Sequence, residues 1–115
     1  MERVLVVSGS ERGREFLREL LRGQEYGQGF FADNSGGARR RMAEDDFSLV
    51  IINAPLRDES GEQLALWAAQ STDAGVLLLV KAEIADEVSA RVEDSGAMVL
   101  PKPISRQFFC QSLKL

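Results

Sequence analysis

Five short apolar runs, Val4-Leu5-Val6-Val7, Phe30-Phe31-Ala32, Leu49-Val50-Ile51-Ile52, Val76 to Val80 and Met98-Val99-Leu100, pass along the chain without alternating polar residues. A strand with one wet face alternates, whereas a strand covered on both faces does not. Unbroken runs therefore predict a parallel sheet sandwiched between helices. Parallel neighbours need a crossover connection, and the segments between the runs carry helical spacing: Phe16, Leu17, Leu20 and Leu21; Ala38, Met42 and Ala43; Leu64, Leu66, Trp67 and Ala68; Ile84 to Val92; and Phe108, Phe109 and Leu113.

Punctuation supports the same division. Ser10 is the expected cap of the first helix, with Ser8 and Glu11 as an alternative capping box, and Gly23 its expected end. Asn34-Ser35-Gly36-Gly37 reads as a turn before the second helix. Pro55 and Gly61 mark the loop after the third strand, Pro101-Lys102-Pro103 breaks the fifth strand, and Ser105 is positioned to cap the last helix. The result is an α/β, doubly wound, five-stranded sheet in one domain over residues 1–115, with no internal repeat or linker.

Composition narrows the chemistry. The 115 residues include no histidine and one cysteine, so the commonest general base is missing and zinc or iron–sulfur chemistry is disfavoured. Cys110 lies among Phe108, Phe109 and Leu113 and reads as a small core residue. A net charge of −4 argues against direct nucleic-acid binding. Arg39-Arg40-Arg41 is followed at once by Glu44, Asp45 and Asp46 and reads as a solvated face. No apolar run approaches the roughly 18 residues of a membrane span, and no signal peptide is visible, so a cytoplasmic location is expected.

In doubly wound sheets, ligands gather at the carboxyl ends of the strands. Those ends carry Ser8, Gly9, Ser10, Asn53, Val80, Lys81 and Lys102. "RVLVV" as first strand, "LVIIN" as third, Gly61 eight residues past Asn53, "SGA" at 95 to 97 and "LPKPI" at 100 to 104 together resemble the receiver domain of two-component response regulators. The resemblance implies a flavodoxin-like (βα)5 fold with strand order 2-1-3-4-5. It also implies that Lys102 contacts a phosphoryl group and that the Lys102-Pro103 peptide is cis.

Where the resemblance calls for a magnesium-binding acidic pair, this chain has Ser8 and Gly9; for the acceptor aspartate it has Asn53; for the switch hydroxyl it has Val80 or Lys81. Magnesium requires carboxylates, and an amide is no nucleophile for acyl-phosphate chemistry, so no cofactor and no phosphotransfer are expected. The expectation is a non-enzymatic pseudo-receiver. It would bind a protein partner or a second copy through the fourth helix, fifth strand and fifth helix, where Glu83, Asp86, Glu87, Arg91, Glu93 and Asp94 form a charged outer face. "LVIINAPL", "LLLVKAEIADEV" and "VLPKPI" further resemble pseudo-receivers of ANTAR-type regulators, implying a transcription or antitermination output domain outside this chain. Two alternatives are a receiver phosphorylated on Asp58 or Glu59, and a small anion- or nucleotide-binding domain using Ser8 to Ser10 with Lys102.

Overall fold

The structure, a computed structural model, describes residues 2–22 and 26–113. In chain order the elements are β1 (Glu2–Ser8), α1 (Glu11–Leu21), β2 (Tyr26–Ala32), α2 (Ser35–Glu44), β3 (Leu49–Asn53), α3 (Gly61–Ser71), β4 (Gly75–Lys81), α4 (Ala82–Val92), a 3-10 turn (Glu93–Ser95), β5 (Met98–Lys102) and α5 (Arg106–Leu113). All strand pairings are parallel, in the order β2-β1-β3-β4-β5. This is the expected doubly wound arrangement.

Strand parity divides the core into two layers. Leu5, Val7, Val50, Ile52, Val76, Leu78 and Val80 face α2, α3 and α4, where Ala38, Met42, Leu64, Ala65, Ala68, Ala85, Val88 and Val92 cover them. Val4, Val6, Ile51, Leu77 and Leu79 face the other way, against Leu17, Leu20 and Phe109 of α1 and α5. Burial of β1, β3 and β4 on both faces is what removed polar residues from their sequences. Gly61 lets α3 lie close to the sheet, since a Cβ there would stand 2.9 Å from the Cβ of Ala54 and 3.2 Å from Leu78.

Several local expectations change. Asn34 is the N-cap of α2, its Oδ1 accepting from the Gly37 N–H at 2.7 Å, so Ser35, Gly36 and Gly37 belong to the helix rather than to a preceding turn. Phe16, grouped by its spacing with Leu17, Leu20 and Leu21, is 47% exposed, whereas Leu17 and Leu20 are buried and Leu21 packs partly against the same layer. Ala43 is likewise exposed beside the buried Met42. In α3 the sheet-facing residues are Leu64, Ala65 and Ala68, while Leu66 and Trp67 are half-buried at its flanks.

The fourth helix begins at Ala82 rather than Ile84, directly on the end of β4. Strand β5 continues through Pro101 to Lys102; as an edge strand hydrogen-bonded only to β4, it accommodates a residue without an N–H. Cys110 is half-buried rather than buried. Helix α5 starts immediately after Ser105, whose carbonyl accepts from the Phe109 N–H at 3.0 Å. The expected helix end at Gly23 lies outside the described residues, as do the side chains of Phe108 and Leu113.

Candidate functional site

Residues 4, 6 and 8 of β1, 49, 51 and 53 of β3, 77, 79 and 81 of β4, and 98, 100 and 102 of β5 share the sheet face that packs on α1 and α5. Ser8, Asn53, Lys81 and Lys102 are the last strand residue on that face in each case, so the topology collects them at one edge. Register makes the grouping tight: Ser8 pairs with Asn53 across β1 and β3, and Lys81 pairs with Lys102 across β4 and β5. Val80 points into the opposite layer and is buried, whereas Lys81 is exposed on the side of Asn53 and Lys102.

A chain of hydrogen bonds joins three of them. The Lys102 ammonium donates to Asn53 Oδ1 at 3.0 Å and, over a short contact, to the Ala54 carbonyl. Asn53 Nδ2 donates to Ser8 Oγ at 3.1 Å, and Ser8 Oγ donates to the Ser10 carbonyl at 3.2 Å. An amide suits the middle position because one end accepts from an ammonium, which has no acceptor, while the other donates to a hydroxyl. Ser8 is fully buried, and among the described residues no buried side-chain polar atom lacks a partner. Burial and the nearby charge of Lys81 hold the Lys102 ammonium below the ordinary lysine pKa.

Backbone carbonyls at the same edge take up arginines: Arg14 donates to Ser8 O at 2.9 Å, and Arg57 reaches Gly9 O at 3.5 Å. The turn itself is used internally. Ser10 caps α1 through the Gly13 N–H at 3.0 Å, while the Ser10 N–H leans toward Ser8 Oγ at 3.4 Å. Gly9 offers no side chain. The strand-end side chains of β1, β3, β4 and β5 on this face are thus one hydroxyl, one amide and two ammonium groups, with no carboxylate, a set that does not suit a hard dication. No cluster of three or more potential metal-ligating side chains occurs among the described residues.

Sequence reasoning missed the role of Gly13. A Cβ at this position would lie 2.6 Å from Asn53 Nδ2 and 2.7 Å from Ser8 Oγ, so α1 presses its backbone onto the polar chain. The available signal was a glycine amid good helix formers, which costs helix stability and calls for a packing reason.

The two loop carboxylates are also placed. Asp58 accepts from the backbone N–H groups of Ser35 at 2.9 Å and Gly36 at 3.0 Å, at the start of α2. Those bonds hold its carboxyl below the usual range. Glu59 binds Arg39 through both carboxylate oxygens, at 2.8 and 2.6 Å, and accepts from Ser35 Oγ at 2.8 Å. The Arg39 side-chain bond, with Ser35 second, lowers its pKa against the opposing effect of burial.

Arg39 stacks 4.8 Å over Trp67 and Arg41 5.4 Å over Phe30, so these two arginines are structural, unlike the expected solvated run; Arg40 is exposed. Arg91 of α4 likewise pairs with Glu62 of α3 at 2.8 Å, which withdraws it from the outer charged face. The Lys102-Pro103 peptide is cis, as is Ala54-Pro55.

The sequence matches no protein-family profile and no curated protein. Solved structures do match, and the class they define is the CheY-like receiver fold of response regulators. One is the signal receiver domain of an HD domain-containing protein from Pseudomonas fluorescens Pf-5 (24% identity, TM-score 0.84, covering 98% of this chain and 84% of that one). A second is the signal receiver domain of a putative Luxo repressor protein from Vibrio parahaemolyticus (23%, 0.87, 98% and 87%). A third is the response regulator TrrA from Thermotoga maritima, in complex with Mg(2+)-BeF (23%, 0.82, 99% and 97%). At these identities the likeness is one of fold.

Two outcomes follow from the geometry. Replacing a mid-helix glycine by alanine ordinarily stabilises a helix by about 0.5–1 kcal/mol. Gly13→Ala should instead lower the urea midpoint, by about 1–3 kcal/mol of stability, because the methyl overpacks against Asn53 and Ser8. An unchanged or higher midpoint would show that α1 lifts off the site freely.

For pH, Glu59 and Glu62 are both held below the ordinary range, Glu62 by its bond to Arg91. Their stabilisation is complete above the unfolded value, near pH 4, and is lost as pH falls through the lower folded values. Thermal melts should therefore decline below about pH 4, and less steeply in Glu59→Gln and Glu62→Gln. Identical acid limbs in wild type and variants would contradict this assignment.

Proposed function

We propose that this chain is a receiver-fold regulatory module that neither binds magnesium nor accepts a phosphoryl group, and that it acts by association. The observation that carries this reading is the Lys102 to Asn53 to Ser8 chain of bonds, in which an amide and a hydroxyl occupy the strand-end positions where acceptor chemistry requires carboxylates. An amide cannot form an acyl phosphate by direct attack, and a serine beside a glycine cannot replace two carboxylates in a magnesium shell.

Phosphorylation on Asp58 or Glu59 is a weaker reading. Asp58 is spent on two backbone donors of α2 and Glu59 on Arg39 and Ser35. Both would have to leave those partners to attack a donor, without a metal to position it. Nucleotide or anion binding in the Ser8 to Ser10 turn is also disfavoured, since the turn's hydroxyls bond within the turn and to Asn53 and α1.

The association surface we favour is formed by α4, β5 and α5. It contains an apolar groove of about 310 Å3 lined by Leu100, Pro101, Pro103, Ile104 and Ser105, and α4 carries the exposed carboxylates Glu83, Asp86 and Glu87. An apolar groove on a surface that also carries charge suits a protein partner or a second copy. No described helix is long and apolar enough to cross a membrane, and a cytoplasmic setting controlling a transcription or antitermination output remains part of the proposal.

Incubation with acetyl phosphate and Mg2+ followed by intact-mass measurement tests the central point. The expected spectrum shows no adduct of about 80 Da, the mass of one phosphoryl group. Such an adduct, on any residue, would overturn the proposal.

A further inference from the structure

At the amino edge of the sheet, opposite Ser8, Asn53 and Lys102, the loops that end α2 and α3 lead into β3 and β4. They enclose a cavity of about 460 Å3, lined by Met42, Asp46, Phe47, Gln70, Asp73 and Ala74. Its volume is that of a small-molecule site. Both loops are fixed by bonds of their own. The Gly75 N–H donates to the Ser48 carbonyl at 2.9 Å, the Thr72 hydroxyl donates to the Ala68 carbonyl at 2.8 Å, and the Ala74 N–H donates to that hydroxyl at 3.2 Å.

The charges around this cavity stand where the backbone disfavours them. A helix C-terminus carries partial negative charge on carbonyls without partners, so a cation stabilises it and an anion does not. Here two C-termini open on one cavity, and the residues that follow them are acidic: Asp45 and Asp46 after α2, Asp73 after α3. Helix α3 has no basic residue in its last turn, and the one in α2, Arg41, lies over Phe30. Asp45 is paired with Arg3 at 3.0 Å. Asp46 and Asp73 are exposed and, among the described residues, their side chains form no ion pair or hydrogen bond. The carbonyls of Gln70 and Ser71, at the end of α3, accept no hydrogen bond from the described residues either. Negative charge thus gathers on a fixed cavity with no cation of the fold to offset it.

We propose that this cavity binds a small organic cation with an ammonium group at each end of an aliphatic chain. Asp46 lies on the loop from α2 and Asp73 on the loop from α3, so each carboxylate takes one ammonium, and the free carbonyls of α3 accept further N–H protons. Met42 and Phe47, both buried, and the half-buried Ala74 give the methylenes an apolar floor. A metal ion fits less well, because among the described residues no three potential metal-ligating side chains converge. The cavity lies at the far edge of the sheet from Asn53, so the inference holds whether or not the chain accepts a phosphoryl group. It gives the module an input site of its own.

The probe is putrescine, a linear four-carbon diamine, titrated into the whole chain at constant ionic strength, with butylamine and Mg2+ in parallel series. Backbone amide resonances should shift to saturation, and the shifts should centre on residues 45–47 and 70–74. Putrescine should bind about fivefold more tightly than butylamine, the factor that a second, partly exposed ion pair supplies. Equal affinity for butylamine or for Mg2+ would overturn the two-ended organic cation. Shifts spread over carboxylates of the whole surface, or no shifts, would overturn the site.

Asp46→Asn and Asp73→Asn, both at exposed side chains, should fold normally and each weaken putrescine binding about fivefold. Glu11→Gln removes the same charge at the start of α1, on the opposite edge of the sheet, and should leave binding intact. Melting of the free chain gives a readout without ligand: taking an anion away from a helix C-terminus should raise the melting temperature in Asp73→Asn, and putrescine should then add less to it than in wild type. A lower melting temperature in free Asp73→Asn, undiminished binding in either aspartate variant, or an equal loss in Glu11→Gln would each overturn the assignment. None of these readouts depends on the intact-mass test with acetyl phosphate.

Discussion

An ammonium that must sit at the end of a buried sheet without a carboxylate partner has only neutral oxygens to bind. Lys102 solves this with the amide of Asn53 and the carbonyl of Ala54, and much of the nearby arrangement follows. The amide must then dispose of its own N–H2, which goes to the buried hydroxyl of Ser8. Because this polar chain satisfies itself, α1 can bring the backbone of Gly13 down onto it, leaving no space for a side chain there.

The segment from Ala54 to Ser60 is pinned at both ends. At its start the Ala54 carbonyl takes Lys102, and the Ala54 N–H donates to the Leu79 carbonyl at 3.0 Å. At its far end Asp58 caps α2 from a distance and Glu59 binds an arginine that stacks on Trp67 of α3. Negative charge favours a helix N-terminus, where backbone N–H groups lack partners, so Asp58 supplies α2 with the acid that its own first turn lacks. Carboxylates here serve as braces between elements, as Glu62 does between α3 and α4.

The fold was legible because burial leaves a one-dimensional trace. Val4 to Val7 and Leu49 to Ile52 are apolar at every position since both faces of their strands are covered, and that alone implied helices on each side. The polar edge was legible as a list, Ser8, Asn53, Lys81 and Lys102, since strand parity is exact. Contacts between distant segments were not. Nothing local to Asp58 says that it meets Ser35 and Gly36, and nothing local to Arg39 distinguishes it from Arg40; only the packing of α2 against α3 does so. Phe16 misled for a similar reason, because periodicity marks a face but not how far the neighbouring elements reach around it.

Net charge, too, was a poor guide to the edge. The chain carries −4 overall, yet at physiological ionic strength the field of an exposed charge fades over about 8 Å. What a small anion meets is therefore set by the nearest groups. At the carboxyl ends of β4 and β5 these are two ammonium groups, while Asp58, Glu59 and Glu62 are each tied to a cation or to backbone donors of their own. An acidic protein can present a cationic notch wherever its carboxylates are committed to holding helices together.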